Sequence, residues 1–376
     1  MESLQEVRKM FPVVQNKVFL NHAAMSPLPI PAIRAMQKFM KEFSQTATVR
    51  REDFDEPKKS FAKLVGATED EIAFVTNTST GLNIAAHMLE CPSDSNIVTT
   101  DLEYPSVVYP WLGQRLGAKV RYVRNAGGKI LLNDVERAVD DDSVALAISH
   151  VEYANGFRHD LRSLAEIAHE HGAYFIVDAV QSAGVIPIDV RQDGVDFLTA
   201  GCYKWMLGPA GAGFLYVREE LIEKFEPPFI GWASVKPEVF KTIDFWDIWT
   251  LKLAETASRF EVGCPSLCSL LGAQASVQLL LSMGISDIER RVLTLTSRLI
   301  EAVKELGLQL QTPEEPKCRS GIVNFLVTRP EERVAGLNRR GMIVSARAHG
   351  IRVSPHFYNA EEEIDALVEE LRPHKA

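Results

Sequence analysis

From about residue 57 to residue 217, short apolar segments alternate with helical segments. Seven of the apolar segments are typical of strands, and they lie at residues 72–75, 96–99, 120–123, 144–149, 173–177, 196–199 and 213–217. A short, continuous apolar run is expected for a strand buried on both faces of a sheet. Strands separated by helices pair in parallel and carry helices on both faces. The alternation therefore predicts an α/β fold with a mostly parallel, seven-stranded sheet.

The helical segments between these strands carry recognisable start and stop signals. The clearest covers residues 161–171, with Asp160 as its N-cap and Gly172 as its stop. Helices are also expected at residues 57–65 and 82–89. The TNTSTG stretch at residues 76–81 is expected to form a loop between a strand and a helix.

The pattern changes after residue 217, and the chain of 376 residues is long enough for more than one domain. Residues 226–262 are irregular. The elements expected after them are a helix with an apolar stripe from Ile288 to Val303, strands at residues 321–327, 342–345 and 351–354, and a final helix at residues 360–371. We expect a large domain at residues 20–265, and a smaller α+β domain formed by residues 1–19 and 266–376.

Two reactive side chains follow neighbouring strands of the predicted sheet. Asp178 closes the strand at residues 173–177, and Lys204 follows the strand at residues 196–199. Open α/β sheets bind ligands at the carboxyl ends of their strands. An enzyme that uses pyridoxal phosphate needs an amine to form a Schiff base and a carboxylate to keep the pyridine nitrogen protonated. Burial of Lys204 would lower its pKa and free the amine for this chemistry. The pair therefore predicts a pyridoxal phosphate site.

Other polar groups at strand ends have two interpretations each. Residues 76–81 could cradle a phosphate at a helix N-terminus, or could simply cap the helix. Tyr104 could stack on a flat ring or belong to a surface turn. His150 could bind a ligand oxygen or be satisfied by the backbone. Arg352 could clamp a substrate carboxylate or pair with a local acid.

Charge and cysteine content limit the partners and the compartment. The net charge of −9 disfavours a nucleic-acid or anionic-membrane binder. The five cysteines are an odd number, which favours free thiols in a reducing compartment. Cys264 and Cys268 have no second ligand pair nearby, so we expect no metal site. The N-terminal residues lack an export signal and no apolar run is long enough for a membrane span. We expect a soluble cytoplasmic protein.

Six sequence blocks occur in an order that resembles one known family. The blocks are FVTNTSTGLN, EYPS, ISHV, VDAVQSAG, YKWMLGPAGAGFLYV and RVSPHFYN. They resemble the class V aminotransferases among the fold-type I pyridoxal phosphate enzymes, with the closest similarity to the isopenicillin N epimerase and cysteine desulfurase-like branch. The resemblance extends from FLNHAAMSPLP at residue 19 to IRVSPHFYNAEEEIDAL at residue 351. It implies a homodimer with active sites at the subunit boundary.

The resemblance also implies a role for each matched residue. Lys204 would form the Schiff base and carry the proton at the substrate Cα, and Asp178 would pair with the pyridine nitrogen. The other implied contacts are Thr78, Ser79 and Tyr203 at the phosphate, Tyr104 stacked on the ring, Gln181 and His150 at the ring hydroxyl, Cys264 at the phosphate of the partner subunit, and Arg352 with Asn21 at the substrate carboxylate.

The sequence departs from the family pattern at several of these positions. Desulfurases usually have a histidine where this chain has Tyr104, and a phenol with a pKa of about 10 is a poor proton shuttle at neutral pH. They also carry a nucleophilic cysteine in the stretch that reads VSARAHGIRVS here. Gly201 replaces a usual serine, and Cys264 replaces a usual threonine. The first two differences disfavour persulfide-forming desulfuration, whereas the last two remove hydroxyl groups expected at the phosphate.

We therefore expect an enzyme that acts on an amino acid with a free α-carboxylate, with transamination or a related transfer ranked first, epimerisation second and a cysteine-type lyase third. Epimerisation needs a second acid–base group, for which the candidates are His22, His150, His349 and His356. A nicotinamide-dependent oxidoreductase is the alternative from another class, but its Gly-x-Gly-x-x-Gly turn after a first strand is absent. A scaffold without catalysis is a third alternative, disfavoured by the presence of both Lys204 and Asp178.

Overall fold

A computed structural model describes residues 4–113, 117–236 and 249–372 of the chain. The α-helices are α1 (Leu4–Lys9), α2 (Ile30–Thr46), α3 (Glu52–Val65), α4 (Thr78–Met88), α5 (Pro105–Leu112), α6 (Leu132–Ala138), α7 (Leu161–Glu170), α8 (Glu219–Ile222), α9 (Leu267–Met283), α10 (Ile285–Glu305), α11 (Pro330–Arg339) and α12 (Glu361–Leu371). The strands are β1 (Val18–Phe19), β2 (Ile72–Val75), β3 (Asn96–Thr100), β4 (Lys119–Val123), β5 (Ser143–Ser149), β6 (Tyr174–Asp178), β7 (Phe197–Gly201), β8 (Gly213–Val217), β9 (Val323–Leu326), β10 (Met342–Ile343), β11 (Ser345–Arg347) and β12 (Gly350–Val353).

The seven predicted strands form one sheet, in the order β2-β8-β7-β6-β5-β3-β4. The neighbours from β7 through β6, β5 and β3 to β4 pair in parallel, whereas β8 is antiparallel to both β7 and β2. Each predicted strand agrees with the observed one to within two residues at either end. The predicted fold class, with a mostly parallel sheet, is therefore confirmed.

Helices cover both faces of this sheet because its strands are apolar on both sides. In β6, Phe175 packs in the same cluster as Phe61 of α3 and Leu164 of α7. The next residue, Ile176, belongs to the opposite cluster, which includes Trp111 of α5. Alternation of side chains across a strand produces this division.

The predicted start and stop signals differ in how well they locate the helices. Asp160 accepts a hydrogen bond from the Ser163 amide at the start of α7, and Gly172 has a positive φ of 72° after its end, as predicted. In contrast, α4 begins at Thr78 rather than at residue 82, so the last four of the six residues in the predicted loop at 76–81 are helical. Asn77 causes the earlier start, because its side chain accepts a hydrogen bond from the Thr80 amide.

The C-terminal elements form a second, smaller sheet with helices packed on it. Strand β12 lies between β9 and β11 and is antiparallel to both, while β1 pairs in parallel with β10. The apolar stripe of α10 is buried, as predicted. The strand predicted at residues 342–345 is interrupted, because the Val344 amide donates to the Asn338 side chain between β10 and β11. Of the irregular stretch at residues 226–262, residues 237–248 lie outside the described part.

A helix that crosses a membrane must be both long and apolar. Within residues 4–113, 117–236 and 249–372, no single helix is long and apolar enough to cross a membrane. Helices α9 and α10 satisfy the criteria only as a pair, and the pair is bent by 81°.

Gly321 packs against Trp205, the residue that follows Lys204. A substitution at Gly321 therefore tests how tightly the Trp205 ring is packed. Trp205 is fully buried, and a Cβ added at Gly321 would lie 2.3 Å from its ring. We expect Gly321→Ala to destabilise the fold by about 1–3 kcal/mol, since a well-packed core cannot accommodate the methyl group. Urea unfolding measures the change.

Gly336 supplies the matched control for this substitution. It lies inside α11, and an added Cβ there meets no atom within 4 Å. Gly336→Ala should stabilise the fold by roughly 0.5–1 kcal/mol, because alanine is the better helix former. Equal stability of the two variants would contradict the packing argument.

Candidate active site

The carboxyl ends of β6 and β7 bring Asp178 and Lys204 together. Asp178 is the last residue of β6, and Lys204 follows the end of β7 at Gly201. Both side chains are buried, with exposed fractions of 2% and 9%. The Asp178 Oδ1 atom accepts a hydrogen bond of 2.8 Å from the Val180 amide, which orients the carboxylate.

Burial brings the pKa values of these two groups toward neutrality. Desolvation raises the pKa of Asp178 to about 6, partly opposed by the Val180 hydrogen bond and by the charge of Lys204. Desolvation also lowers the pKa of Lys204 to about 8, partly opposed by the charge of Asp178. Each charge acts on the other, so the two groups belong to one electrostatic environment. Near pH 7 the site thus holds a carboxylate beside an amine that loses its proton easily.

Two tyrosines flank the amine. The Lys204 Nζ atom lies 5.7 Å from the centre of the Tyr104 ring and 5.8 Å from that of the Tyr203 ring. Tyr104 also contacts Tyr153 edge to face, with ring centres 5.1 Å apart. Burial, followed by the nearby Asp178 charge, raises the pKa of Tyr203. The amine therefore lies beside two aromatic rings.

The N-terminus of α4 lies against the end of β7. The Gly201 amide donates a hydrogen bond of 2.8 Å to the Thr78 hydroxyl, and the Ser79 and Ser106 hydroxyls are 2.7 Å apart. Free amides at a helix N-terminus suit a phosphate. A Cβ at Gly201 would lie 3.0 Å from the Tyr203 ring and 3.2 Å from the Thr78 hydroxyl. Glycine therefore fits this position better than the serine expected from the family pattern.

Arg352 carries a buried charge with no acidic partner among the described residues. Its guanidinium donates to the Tyr153 carbonyl at 2.7 Å and to the Ser345 hydroxyl at 3.3 Å. Desolvation, together with the charge of Arg347, lowers the pKa of Arg352 to about 10. The charge of Arg352 in turn lowers the pKa of Lys204, so the two cations share one environment. A buried, uncompensated guanidinium favours an anionic ligand.

Some residues singled out from the sequence are engaged elsewhere. Gln181 donates to the Ala23 carbonyl at 3.0 Å and accepts from the Trp205 indole at 2.8 Å. Both the nitrogen and the oxygen of its side-chain amide are therefore engaged in hydrogen bonds within the protein. His150 lines a cavity with Arg158, and its Nδ1 atom is buried without a partner. Burial and the charge of Arg158 lower its pKa, while neither Asp178 nor Lys204 contributes to that shift.

The remaining candidates differ in exposure. Asn21 forms an isolated parallel bridge with Ser354, and its Oδ1 atom is buried without a hydrogen bond. Cys264 is exposed, and its Sγ atom lies 3.6 Å from the Pro265 carbonyl oxygen.

The histidines proposed as second acid–base groups are largely committed to structure. His22 contacts the Ser354 carbonyl and the Tyr358 hydroxyl, and burial lowers its pKa. His356 contacts the Trp205 carbonyl, and burial lowers its pKa to about 4. His349 lies in the turn between β11 and β12.

Sequence reasoning missed three residues of this neighbourhood. The Glu103 carboxyl group accepts from both the amide and the hydroxyl of Ser149, each at 2.6 Å, and burial raises its pKa well above the usual range. Glu103 directly precedes Tyr104 at a strand end, and that position could have revealed it. Tyr153 contributes through its carbonyl and ring, for which no sequence signal exists. The position of Arg347 in this neighbourhood follows only from the pairing of β11 with β12.

This set of groups fits pyridoxal phosphate. A buried amine and a buried carboxyl group that act on each other match the aldehyde and the ring nitrogen of the cofactor. The helix N-terminus at Thr78, with the hydroxyl of Ser79, matches its phosphate. The aromatic rings beside Lys204 match a flat heterocycle.

Comparisons with known proteins agree with this fit. A family model described as aminotransferase class-V matches residues 18–367. The chain is 32% identical to YcbU of Bacillus subtilis, an uncharacterized aminotransferase, over 99% of this chain and 98% of the relative. It is 31% identical to a probable cysteine desulfurase of Pyrococcus abyssi, over 97% of this chain and 96% of the relative.

Solved structures show the same similarity. An apo cysteine desulfurase from Thermococcus onnurineus superimposes with a TM-score of 0.89 at 30% identity, over 99% of this chain and 98% of that one. The cystine C–S lyase C-DES superimposes with a TM-score of 0.88 at 22% identity, over 96% of this chain and 100% of that one, and this likeness shows the fold. The chain therefore belongs to the class V aminotransferase family of pyridoxal phosphate-dependent enzymes.

Proposed function

We propose that this enzyme transfers the amino group of an α-amino acid, with Lys204 as the group that moves the proton at Cα. The observation that carries the proposal is the shared electrostatic environment of three buried groups. Asp178 and Lys204 shift each other's pKa, and Arg352 supplies an unpaired positive charge beside them. An amine, an acid and a carboxylate clamp are the groups that amino-acid chemistry at Cα requires.

Each of these groups has a separate task in the proposed reaction. When bound, pyridoxal phosphate supplies an aldehyde that reacts with amines and a ring that accepts the electron pair released at Cα. Asp178, ionised near pH 7, would hold a proton at the ring nitrogen. Lys204, with its pKa lowered to about 8, would attach the cofactor and then carry the proton from Cα. Arg352 would bind and orient the substrate α-carboxylate.

Other residues would hold the cofactor in place. Thr78 and Ser79 lie at the start of α4, where backbone amides and hydroxyls favour a phosphate. Tyr203 lies beside them across Gly201, and Tyr104 would cover one face of the ring. Tyr104 is 45% exposed, which suits a residue at the entrance that a bound ring would cover.

Cysteine desulfuration is the second candidate, because relatives and a solved structure at about 30% identity carry that name. The hairpin of β11 and β12 argues against a persulfide route, since residues 345–353 contain no cysteine. Cys202 is buried, and burial raises the pKa of its thiol far above the usual range, so it is a poor nucleophile. Epimerisation ranks below transamination because His22 and His356 are occupied by structural contacts.

We also propose a homodimer in the cytoplasm. Large apolar side chains are exposed on the segment after α8, including Phe229 at 53% and Ile230 at 48%. Exposed apolar patches favour an interface. Cys264 is also exposed, as a residue reaching a partner's phosphate would have to be. The free thiols favour a reducing compartment.

The proposal is tested with the holoenzyme and a panel of amino acids. Keto acid formation in the presence of an acceptor keto acid, sulfide release from cysteine and loss of optical rotation are assayed in parallel. We expect keto acid formation to exceed the other two activities. Sulfide as the main product would replace the proposal with desulfuration, and racemised substrate without keto acid would replace it with epimerisation.

A further inference from the structure

The hairpin of β11 and β12 carries two arginines on one face. Ser345 lies directly opposite Arg352, and directly opposed residues share a face of the sheet. The hydrogen bond from the Arg352 Nε atom to the Ser345 hydroxyl agrees with this register. Arg347 is two positions from Ser345 along β11, so its side chain is on the same face.

A tight turn holds this register. The turn residues Ala348 and His349 both have positive φ angles, 46° and 63°, as in the two-residue hairpin turns that match strand twist. The Asn324 side chain also donates to the Arg347 carbonyl at 3.1 Å, which fixes the main chain. A slip of one residue would move Arg347 to the opposite face. The hairpin therefore places both guanidinium groups toward the same region.

The charge of Arg347 also acts on the Lys204 amine. Arg347 lowers the pKa of Arg352 and also the pKa of Lys204. Among the described residues, neither arginine has a carboxylate within ion-pair distance, and Asp178 is the acid that acts on Lys204. One substrate carboxylate on Arg352 would leave Arg347 without a counter-charge. Arg347 is exposed, and its guanidinium group on a long side chain suits contact with an anionic ligand.

We propose that Arg347 forms a subsite for a second anionic group, so that the preferred substrates are α-amino acids with an acidic side chain. The inference rests on the proposed function, since it assigns the α-carboxylate to Arg352. Arg347 would act as a specificity-determining residue through a charge-assisted contact with the side-chain carboxylate. Such a contact contributes about 10- to 100-fold in affinity, by the usual strength of hydrogen bonds to charged groups.

Substrate pairs that differ mainly in charge test this subsite. For aspartate against asparagine, and for glutamate against glutamine, we expect kcat/KM to favour the acid by about tenfold or more. Arg347→Gln should reduce that ratio by about the same factor, whereas Arg347→Lys should keep part of it. Arg333→Gln on α11 is the charge-matched control, because Arg333 is also exposed but lies on a separate helix.

Binding without turnover provides a second readout. Calorimetric titration of the holoenzyme should give a lower Kd for glutarate than for butyrate, and Arg347→Gln should remove the difference. If both substrate pairs react equally and Arg347→Gln changes neither ratio, the subsite is rejected while the proposed function stands. If no amino acid reacts, the proposed function fails, and the glutarate and butyrate titrations alone decide on the subsite.

Discussion

Replacing Lys204 with alanine is expected to lower the turnover of every amino acid substrate by at least about a thousandfold, given the usual contribution of proton transfer together with loss of the attachment point. The amine is buried beside Asp178, and the two flanking tyrosine rings offer no replacement base. A phenol keeps its proton at neutral pH. The fold should persist, as measured by circular dichroism.

The attachment itself is measured separately from turnover. Borohydride treatment of the holoenzyme should fix the cofactor irreversibly to Lys204, as read by mass spectrometry of peptides. Lys224→Ala is the matched control, since the Lys224 amine also lies near two aromatic rings, 5.1 Å from that of Tyr174 and 5.7 Å from that of Phe225. This variant should remain active. Normal turnover by Lys204→Ala would overturn the mechanism.

Asp178→Asn is expected to reduce turnover by about a hundredfold or more, because an amide cannot hold the ring nitrogen in its protonated form. The Asn side chain can still accept the hydrogen bond from the Val180 amide, so local geometry should be retained. Steady-state kinetics with saturating cofactor separates this loss from weaker cofactor binding. Near-normal rates would mean that another group activates the ring.

The same substitution should stabilise the cofactor-free protein at neutral pH. Burial raises the pKa of Asp178 in the folded state to about 6 from an ordinary value of 3.8. Between these values the folded state binds more protons than the unfolded state, so stability falls as pH rises through the window. Above pH 6 the ionised wild-type carboxylate lowers the free energy of unfolding by up to about 3 kcal/mol, and Asp178→Asn removes this loss.

Urea unfolding at two pH values tests this trade-off. The variant should be the more stable protein at pH 8, and the difference should nearly vanish at about pH 4, where the wild-type carboxyl group is mostly protonated. A difference of the same size at both pH values would show that packing, rather than charge burial, separates the two proteins. The expected pattern is a gain in stability with a loss of activity, as for other groups that a site holds in an unfavourable environment.

The positions of Asp178 and Lys204 could be predicted from the sequence because they depend on local signals. The apolar runs before Asp178 and Lys204 predict buried strands, and parallel strands present their carboxyl ends at one edge. The directions of His150 and Gln181 could not be predicted in this way. Each follows a strand of the same sheet, yet His150 lines a cavity with Arg158, and Gln181 bridges Ala23 and Trp205. Their partners are distant in sequence, so no local pattern encodes them.

By itself, the sequence determined the strands, their mostly parallel pairing and the residues that could carry the chemistry, since apolar periodicity and turn residues act over short distances. The tertiary structure decided which of these side chains share an environment. The antiparallel placement of β8, the pairing of Ser345 with Arg352 and the effect of the Arg347 charge on the pKa of Lys204 depend on long-range register. The pKa values of Asp178 and Lys204 depend likewise on burial by the whole fold, because desolvation is a property of the surroundings and not of the residue.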